Sequence, residues 1–177
     1  MKYSRIVVMG PPGCGKGTQS SLISEKYEIP HVSSGDIIRE EMKKSSKEAT
    51  VIREMVNSGR LAPDEIVNEL VLKKIRSMSK YILDGYPRRI EQAGMLGDDV
   101  DLVIFIDVDE DTCISRICGR NEGRDDDDEE VGRKRCMVYN KETAPVLEFY
   151  KRHGKLLTIN GCASPGTVFE EIRRSIE

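Results

Sequence analysis

An α/β fold with a doubly wound parallel sheet is predicted by three features of the sequence. Short apolar runs recur without the in–out alternation of a one-sided sheet, helical patterns separate them, and turn residues bound them. Ile6–Met9 is the first run, and the shorter His31–Ser33 follows it. Tyr81–Leu83, Leu102–Ile106 and Leu156–Ile159 complete the set. Between them, Gln19–Tyr27 is a helical stretch. Val51, Ile52, Met55 and Val56 form a short apolar stripe that stops at Asn57-Ser58-Gly59. Ile66, Val67, Leu70, Val71, Ile75 and Met78 repeat at three- and four-residue spacing, so they predict a longer helix, with Asp64 after Pro63 as its cap. Residues 37–78 carry helices but no strong strand, as a small helical insert would. Residues 119–130 contain no apolar side chain and are expected to form a solvated loop.

Composition narrows the function. At 177 residues the chain is sized for one domain able to bury a core without disulfides or metals. A formal charge of −3 argues against a general nucleic-acid binder, and 5% aromatics against a base-stacking platform. Five cysteines without a C-x-x-C pair, and two distant histidines, fit reduced thiols and no zinc site. Four apolar residues before Gly10 are too few for a secretory leader, and no run reaches the ~18 of a membrane span. A cytoplasmic enzyme without membrane or nucleic-acid partners is expected, and as a monomer. Asp107-x-Asp109-x-Asp111 begins like a calcium loop, but Thr112 and Cys118 stand where that loop needs glycine and glutamate.

Gly10-Pro11-Pro12-Gly13-Cys14-Gly15-Lys16-Gly17-Thr18 joins the first strand to the first helix, the setting of a P-loop. Such a turn aims backbone N–H groups of Gly13 through Thr18 at phosphate oxygens. The helix N-terminus adds positive potential, and Lys16 adds a point charge for the β and γ phosphates of a nucleoside triphosphate. Gly17 follows the lysine where a hydroxyl residue is usual, so direct magnesium ligation by the loop is not expected. Asp84, at the end of a buried strand, is expected to reach Mg2+ through water.

Tyr81-Ile82-Leu83-Asp84-Gly85-Tyr86-Pro87-Arg88, with Gln92 beyond it, resembles the signature of nucleoside monophosphate kinases. Together with Gly10–Thr18, Ser33–Arg39, Gly59–Glu65 and Thr143-Ala144-Pro145, the chain resembles the adenylate kinase family over nearly its whole length. The resemblance implies a P-loop NTPase fold: a five-stranded parallel sheet with helices on both faces, a helical monophosphate-binding insert at 36–65, and a short lid at 120–132. It also implies reversible Mg-dependent phosphoryl transfer from ATP to AMP. Arg39 and Arg88 would clamp the acceptor phosphate, while Arg120, Arg124 and Arg135 would close over the transferring group. Arg116, with Arg120, would flank the donor. Ser34, Arg60, Leu61, Ala62, Gly85 and Gln92 would line the AMP pocket, with Arg124 and Arg135 beside them. A UMP/CMP kinase shares most of these motifs, but Ser34 and the sequence after Arg88 favour AMP. A nucleotide-gated binding or assembly protein with weak ATPase activity is the more distant alternative. It would have no need of Arg39 and Arg88. The thiol of Cys14, inside the cradle, is a candidate for modification by thiol reagents.

Overall fold

A computed structural model describes residues 2–119 and 129–177. Five strands, β1 (Arg5–Met9), β2 (His31–Ser33), β3 (Tyr81–Asp84), β4 (Leu102–Asp107) and β5 (Leu156–Asn160), form one parallel sheet in the order β2-β3-β1-β4-β5. All five expected strands are present. Their continuous apolar runs have a simple cause, because successive side chains leave a strand on opposite faces and here both faces are covered. Ile6, Val8, Ile82, Ile104 and Ile106 enter one core, closed by Ile23 of α1 (Lys16–Tyr27) and by Val168, Ile172 and Ile176 of α9 (Pro165–Ile176). Val7, Met9, Leu83 and Val103 enter the other. That core is closed by Val71 and Ile75 of α4 (Asp64–Ile75), Ala93 and Leu96 of α5 (Ile90–Leu96), and Val146 and Tyr150 of α8 (Ala144–Arg152).

A third, smaller core lies apart from the sheet. Helices α2 (Ser34–Met42) and α3 (Lys47–Asn57) bury Ile38 and Ile52 against Ala62, with Ile66, Val67 and Leu70 of α4 completing the cluster. Ser33 caps α2 by accepting from the Asp36 N–H at 3.3 Å, and Ser46 caps α3 by accepting from Ala49 at 3.0 Å. Helix α6 (Glu110–Cys118) is capped by Asp109, which accepts from the Thr112 N–H at 2.8 Å; this is the work of the acidic triplet that begins like a calcium loop. Helix α7 (Glu129–Val138) passes through a π-helical turn, Tyr139–Thr143, into α8.

Several boundaries differ from the sequence pattern. Helix α1 begins at Lys16, three residues before the predicted stretch, because the phosphate-type loop ends directly in the helix with Gly15 as its N-cap. Helix α4 stops at Ile75, so Met78 of the apolar stripe sits on the following turn. Asp64 is not the cap: Pro63 holds that position without a side-chain bond, and Asp64 is the first helical residue. Glu129 and Glu130, expected in the loop, open α7, where Glu129 pairs with Arg133 and Glu130 with Lys134 one turn later. The rest of that loop, 120–128, lies outside the described residues.

Gly13 carries the tightest backbone requirement of the first loop. Its φ is +86°, and a Cβ there would stand 2.3 Å from the Cys113 carbonyl oxygen of α6. Gly13→Ala is therefore expected to lower stability by roughly 2 kcal/mol, from the left-handed strain and the displaced helix together. Thermal melting of the purified variant checks this, and an unchanged midpoint contradicts it.

Candidate active site

The C-terminal ends of β1, β2 and β3 open into a cavity of about 560 Å³, where parallel α/β sheets place their ligand crevices. Its floor is formed by Gly10, Pro12, Gly13 and Gly15 of the first loop and by the start of α1, with Lys16, Gly17 and Thr18 exposed to the cavity. Lys16 extends back along the loop, and its ammonium donates to the carbonyls of Gly10 and Pro11, both at 2.8 Å. The folded chain thus already anchors this cation above the helix N-terminus, the end with positive potential.

Asp84 stands beside that loop. It is 9% exposed, and a Cβ at Gly17 would lie 3.6 Å from its Oδ2. The absence of a side chain at position 17 thus leaves the carboxylate facing the cradle. His31 Nε2 lies 3.7 Å from the same oxygen, too long for a hydrogen bond, and this buried atom has no other hydrogen-bond partner among the described residues. His31 escaped prediction; its place at the head of β2, just before Ser33-Ser34, was the available signal.

The opposite wall comes from β3 and the helical cluster. Gly85 at φ +76° turns the chain so that its carbonyl accepts from Arg88 Nε at 2.7 Å, which fixes the stem of that guanidinium at the cavity edge. Ser34 is buried against Gly85, where a Cβ would come within 2.6 Å of the serine Oγ. Arg39 lies one turn along α2, folded over Gly35 and paired with Asp36. Arg60, Leu61 and Ala62 follow α3 and line the same side. Arg135 of α7 completes the ring, and a Cβ at Gly59 would lie 3.2 Å from Lys134 Cβ, which brings the end of α3 against α7.

The cavity thus gathers Gly13, Gly15, Lys16, Gly17, Thr18, Ser34, Arg39, Arg60, Leu61, Ala62, Asp84, Gly85, Arg88, Gln92 and Arg135. Two expected residues are placed differently. Cys14 does not reach the cavity: it is 2% exposed in the core, its N–H is taken by Pro11, and its thiol faces Lys16 Nζ at 3.7 Å. Arg116 does not line it either; its guanidinium donates to the carbonyls of Cys14 and Gly161 at 3.4 and 3.1 Å, bridging the first loop to the loop after β5. Gln92 lines the cavity but is 3% exposed, with its amide engaged by protein: Nε2 donates to Asp64 at 2.7 Å and Oε1 accepts from the Arg88 N–H at 2.7 Å. Arg120 and Arg124 lie outside the described residues. Asp36, Asp64 and Tyr139 line the cavity without having been foreseen. Burial pushes the Tyr139 phenol far above its ordinary range.

Among the described residues no group of three or more His, Cys, Asp or Glu is arranged to hold a metal, and no helix is long and apolar enough to cross a membrane. What the arrangement can do follows from its charges. Several cations and a helix N-terminus border a single cleft, while one buried carboxylate stands at the end of β3. Such a site binds polyanions and holds their oxygens in fixed positions.

The family model "Adenylate kinase" matches residues 8–155. The chain is 39% identical over 183 residues to adenylate kinase 1 of Nostoc sp., covering 98% of both proteins. It is 38% identical over 184 residues to the adenylate kinase of Bacteroides fragilis, with 97% of both covered. Against the adenylate kinase of Petrotoga mobilis the identity is 33% over 204 residues, with 95% of each covered.

The thiols supply a direct check on this geometry. Burial raises the pKa of Cys14, Cys113 (to about 12) and Cys136, which keeps them protonated at neutral pH, whereas Cys118 and Cys162 are exposed. Titration of the native protein with a chromogenic disulfide should modify Cys118 and Cys162 rapidly and the other three only on unfolding. Rapid loss of the Cys14 thiol in the native protein would place it outside the core.

Proposed function

The chain belongs to the adenylate kinase family, and from that premise we propose that it transfers the terminal phosphoryl group of ATP to AMP, giving two ADP. The observation that carries this reading is the single cavity lined both by Lys16 of the cradle and by Arg39 and Arg88 on the far side. An ATPase or a nucleotide-gated binding module needs the first set of groups and not the second. Ser34 and the family of the relatives favour AMP over UMP or CMP.

The chemistry asks for little beyond position and charge. The acceptor phosphate has a second pKa of ~6, so at neutral pH its oxygen is already ionised and no general base is required. The obstacle is repulsion between two polyanions. Lys16 would exchange the carbonyls of Gly10 and Pro11 for the outer phosphate oxygens of ATP, since a flexible ammonium carries equivalent donors. Arg39 and Arg88 would grip the AMP phosphate through planar forks, and Arg135, with Arg120 and Arg124, would shield the transferring group. Arg116, behind the cradle, would brace the donor side. The backbone at Gly85 and residues Arg60, Leu61 and Ala62 would border the AMP base and ribose.

The donor set fits Mg2+. Asp84 offers a carboxylate beside Gly17, and among the described residues no group of three or more His, Cys, Asp or Glu forms a metal cage, which suits an ion that keeps several waters and the substrate phosphates. Bound there, the ion would neutralise phosphate charge; Asp84 would hold it through water, and Thr18 would remain a helix-start hydroxyl at the cavity.

ADP formation from MgATP should be measured with AMP, CMP, UMP and GMP in turn. AMP is expected to be preferred; preference for CMP or UMP reverses the acceptor, and ATP binding without turnover on any of them favours the gated module. Lys16→Met should lower kcat by about 10²- to 10³-fold, as removal of one preorganised charge does. Arg88→Ala should lower kcat/KM for AMP by about 10- to 100-fold, the value of a charged hydrogen bond. Unchanged kinetics in either variant would remove that residue from the site.

A further inference from the structure

Arg89, directly after the arginine of the signature, lies behind the cavity wall and not in it. It is the N-cap of α5, and its guanidinium joins two carboxylates from separate parts of the chain. Nη1 donates to Asp64 at the start of α4, and Nε donates to Glu142 in the π-helical turn at 3.2 Å. The Asp64 carboxylate then accepts through its other oxygen from Gln92 Nε2, and Gln92 Oε1 accepts from the Arg88 N–H.

The order of donors and acceptors in this chain is forced. A carboxylate only accepts and a backbone N–H only donates, so the Gln92 amide can face Asp64 and Arg88 in one orientation alone. Whatever donor and acceptor capacity Gln92 retains is presented to the cavity in that fixed sense. Asp64 also lines the cavity. Without a cation behind it, this carboxylate would repel an anionic acceptor and draw counter-charge from the clamp.

We propose that Arg89 is a positioning residue for acceptor selectivity: acting through Asp64 it fixes the orientation of the Gln92 amide, and through Glu142 it ties the start of α4 to the core. The proposal rests on the reading of the cavity as an AMP site. It concerns no atom of the transfer itself. Loss of Arg89 frees Asp64 to turn away, so Gln92 Nε2 loses its fixed acceptor and the amide is held only at Oε1 by the Arg88 N–H. Recognition of the acceptor base suffers while the ATP cradle, built by other segments, keeps its geometry.

Steady-state kinetics of Arg89→Ala, Arg89→Lys and Glu142→Gln test this, with AMP and GMP as acceptors and with ATP varied separately. On the Watson–Crick edge adenine offers its amino group as donor and N1 as acceptor, whereas guanine offers O6 as acceptor and N1–H as donor, so GMP reads amide orientation. Arg89→Ala should raise KM for AMP about tenfold, within the coupling seen for residues in one network, with KM for ATP unmoved and the AMP-over-GMP preference reduced. Arg89→Lys should recover part of the preference, because a point charge can hold Asp64 but cannot fork to Glu142. Glu142→Gln should shift KM for AMP in the same direction by less. Equal rises in KM for AMP and ATP, an unchanged preference, or a lower melting temperature with unaltered kinetics each overturn the proposal. If Arg89→Ala does not fold, the Lys and Glu142 variants decide by the same readouts. A wild-type protein inactive on AMP defeats the functional reading and this proposal with it; an active wild type with unmoved variants defeats this proposal alone.

Discussion

In the parallel sheet Val8 of β1 lies opposite Asp84 of β3, and Ser33 of β2 lies opposite that same aspartate. Three strands therefore end at one level, and each hands the chain to a different part of the cavity. From β1 comes the glycine loop with Lys16, from β2 come Ser34 and the helix bearing Arg39, and from β3 come Asp84, Gly85 and Arg88. The register is held by burial on both faces, since a slip of one residue would exchange every side chain between two packed cores. Ile6 and Val8 feed one core while Val7 and Met9 feed the other, so neither strand can move alone.

Charge placement follows from that register. Lys16 is anchored by two carbonyls, Arg39 by Asp36 and Arg88 by the carbonyl of Gly85, so each cation has a partner that lets it wait at the cleft. Weak anchors suit this purpose. Carbonyls and a surface carboxylate in i,i+3 spacing hold a side chain in place without competing strongly with phosphate oxygens. The buried Asp84 stands beside Gly17 and 3.7 Å from His31 Nε2 at the end of β3.

The fold was legible because its signals are local. Apolar runs, glycine loops and the Asp84–Arg88 segment each carry their meaning within a few residues, so all five strands could be foreseen, and with them the segments that reach the cavity from β1, β2 and β3. What could not be foreseen depends on distant contacts. Asp64 looks like a cap after Pro63, yet its carboxylate is taken by Arg89 and Gln92, residues that meet it only when α4 packs on α5. Cys14 lies within the phosphate loop in sequence, but its side chain joins the core cluster that holds Ile6, Ile106 and Cys113. Arg116 is a helical turn from Arg120 in sequence, yet its partners lie in the first loop and after β5. His31 gave no motif of its own; only the pairing of β2 with β3 sets it beside Asp84.

If one cleft holds both nucleotides with their phosphates in line, then a single molecule carrying two adenosines joined through five phosphates should occupy both positions at once. Calorimetric titration with that compound in the presence of Mg2+ should give one molecule bound per chain, displaced by either ATP or AMP, and weakened by Lys16→Met and by Arg88→Ala alike. Two molecules bound per chain, or displacement by ATP with no effect of AMP, would show that the cradle and the arginine clamp do not face one another across a shared site.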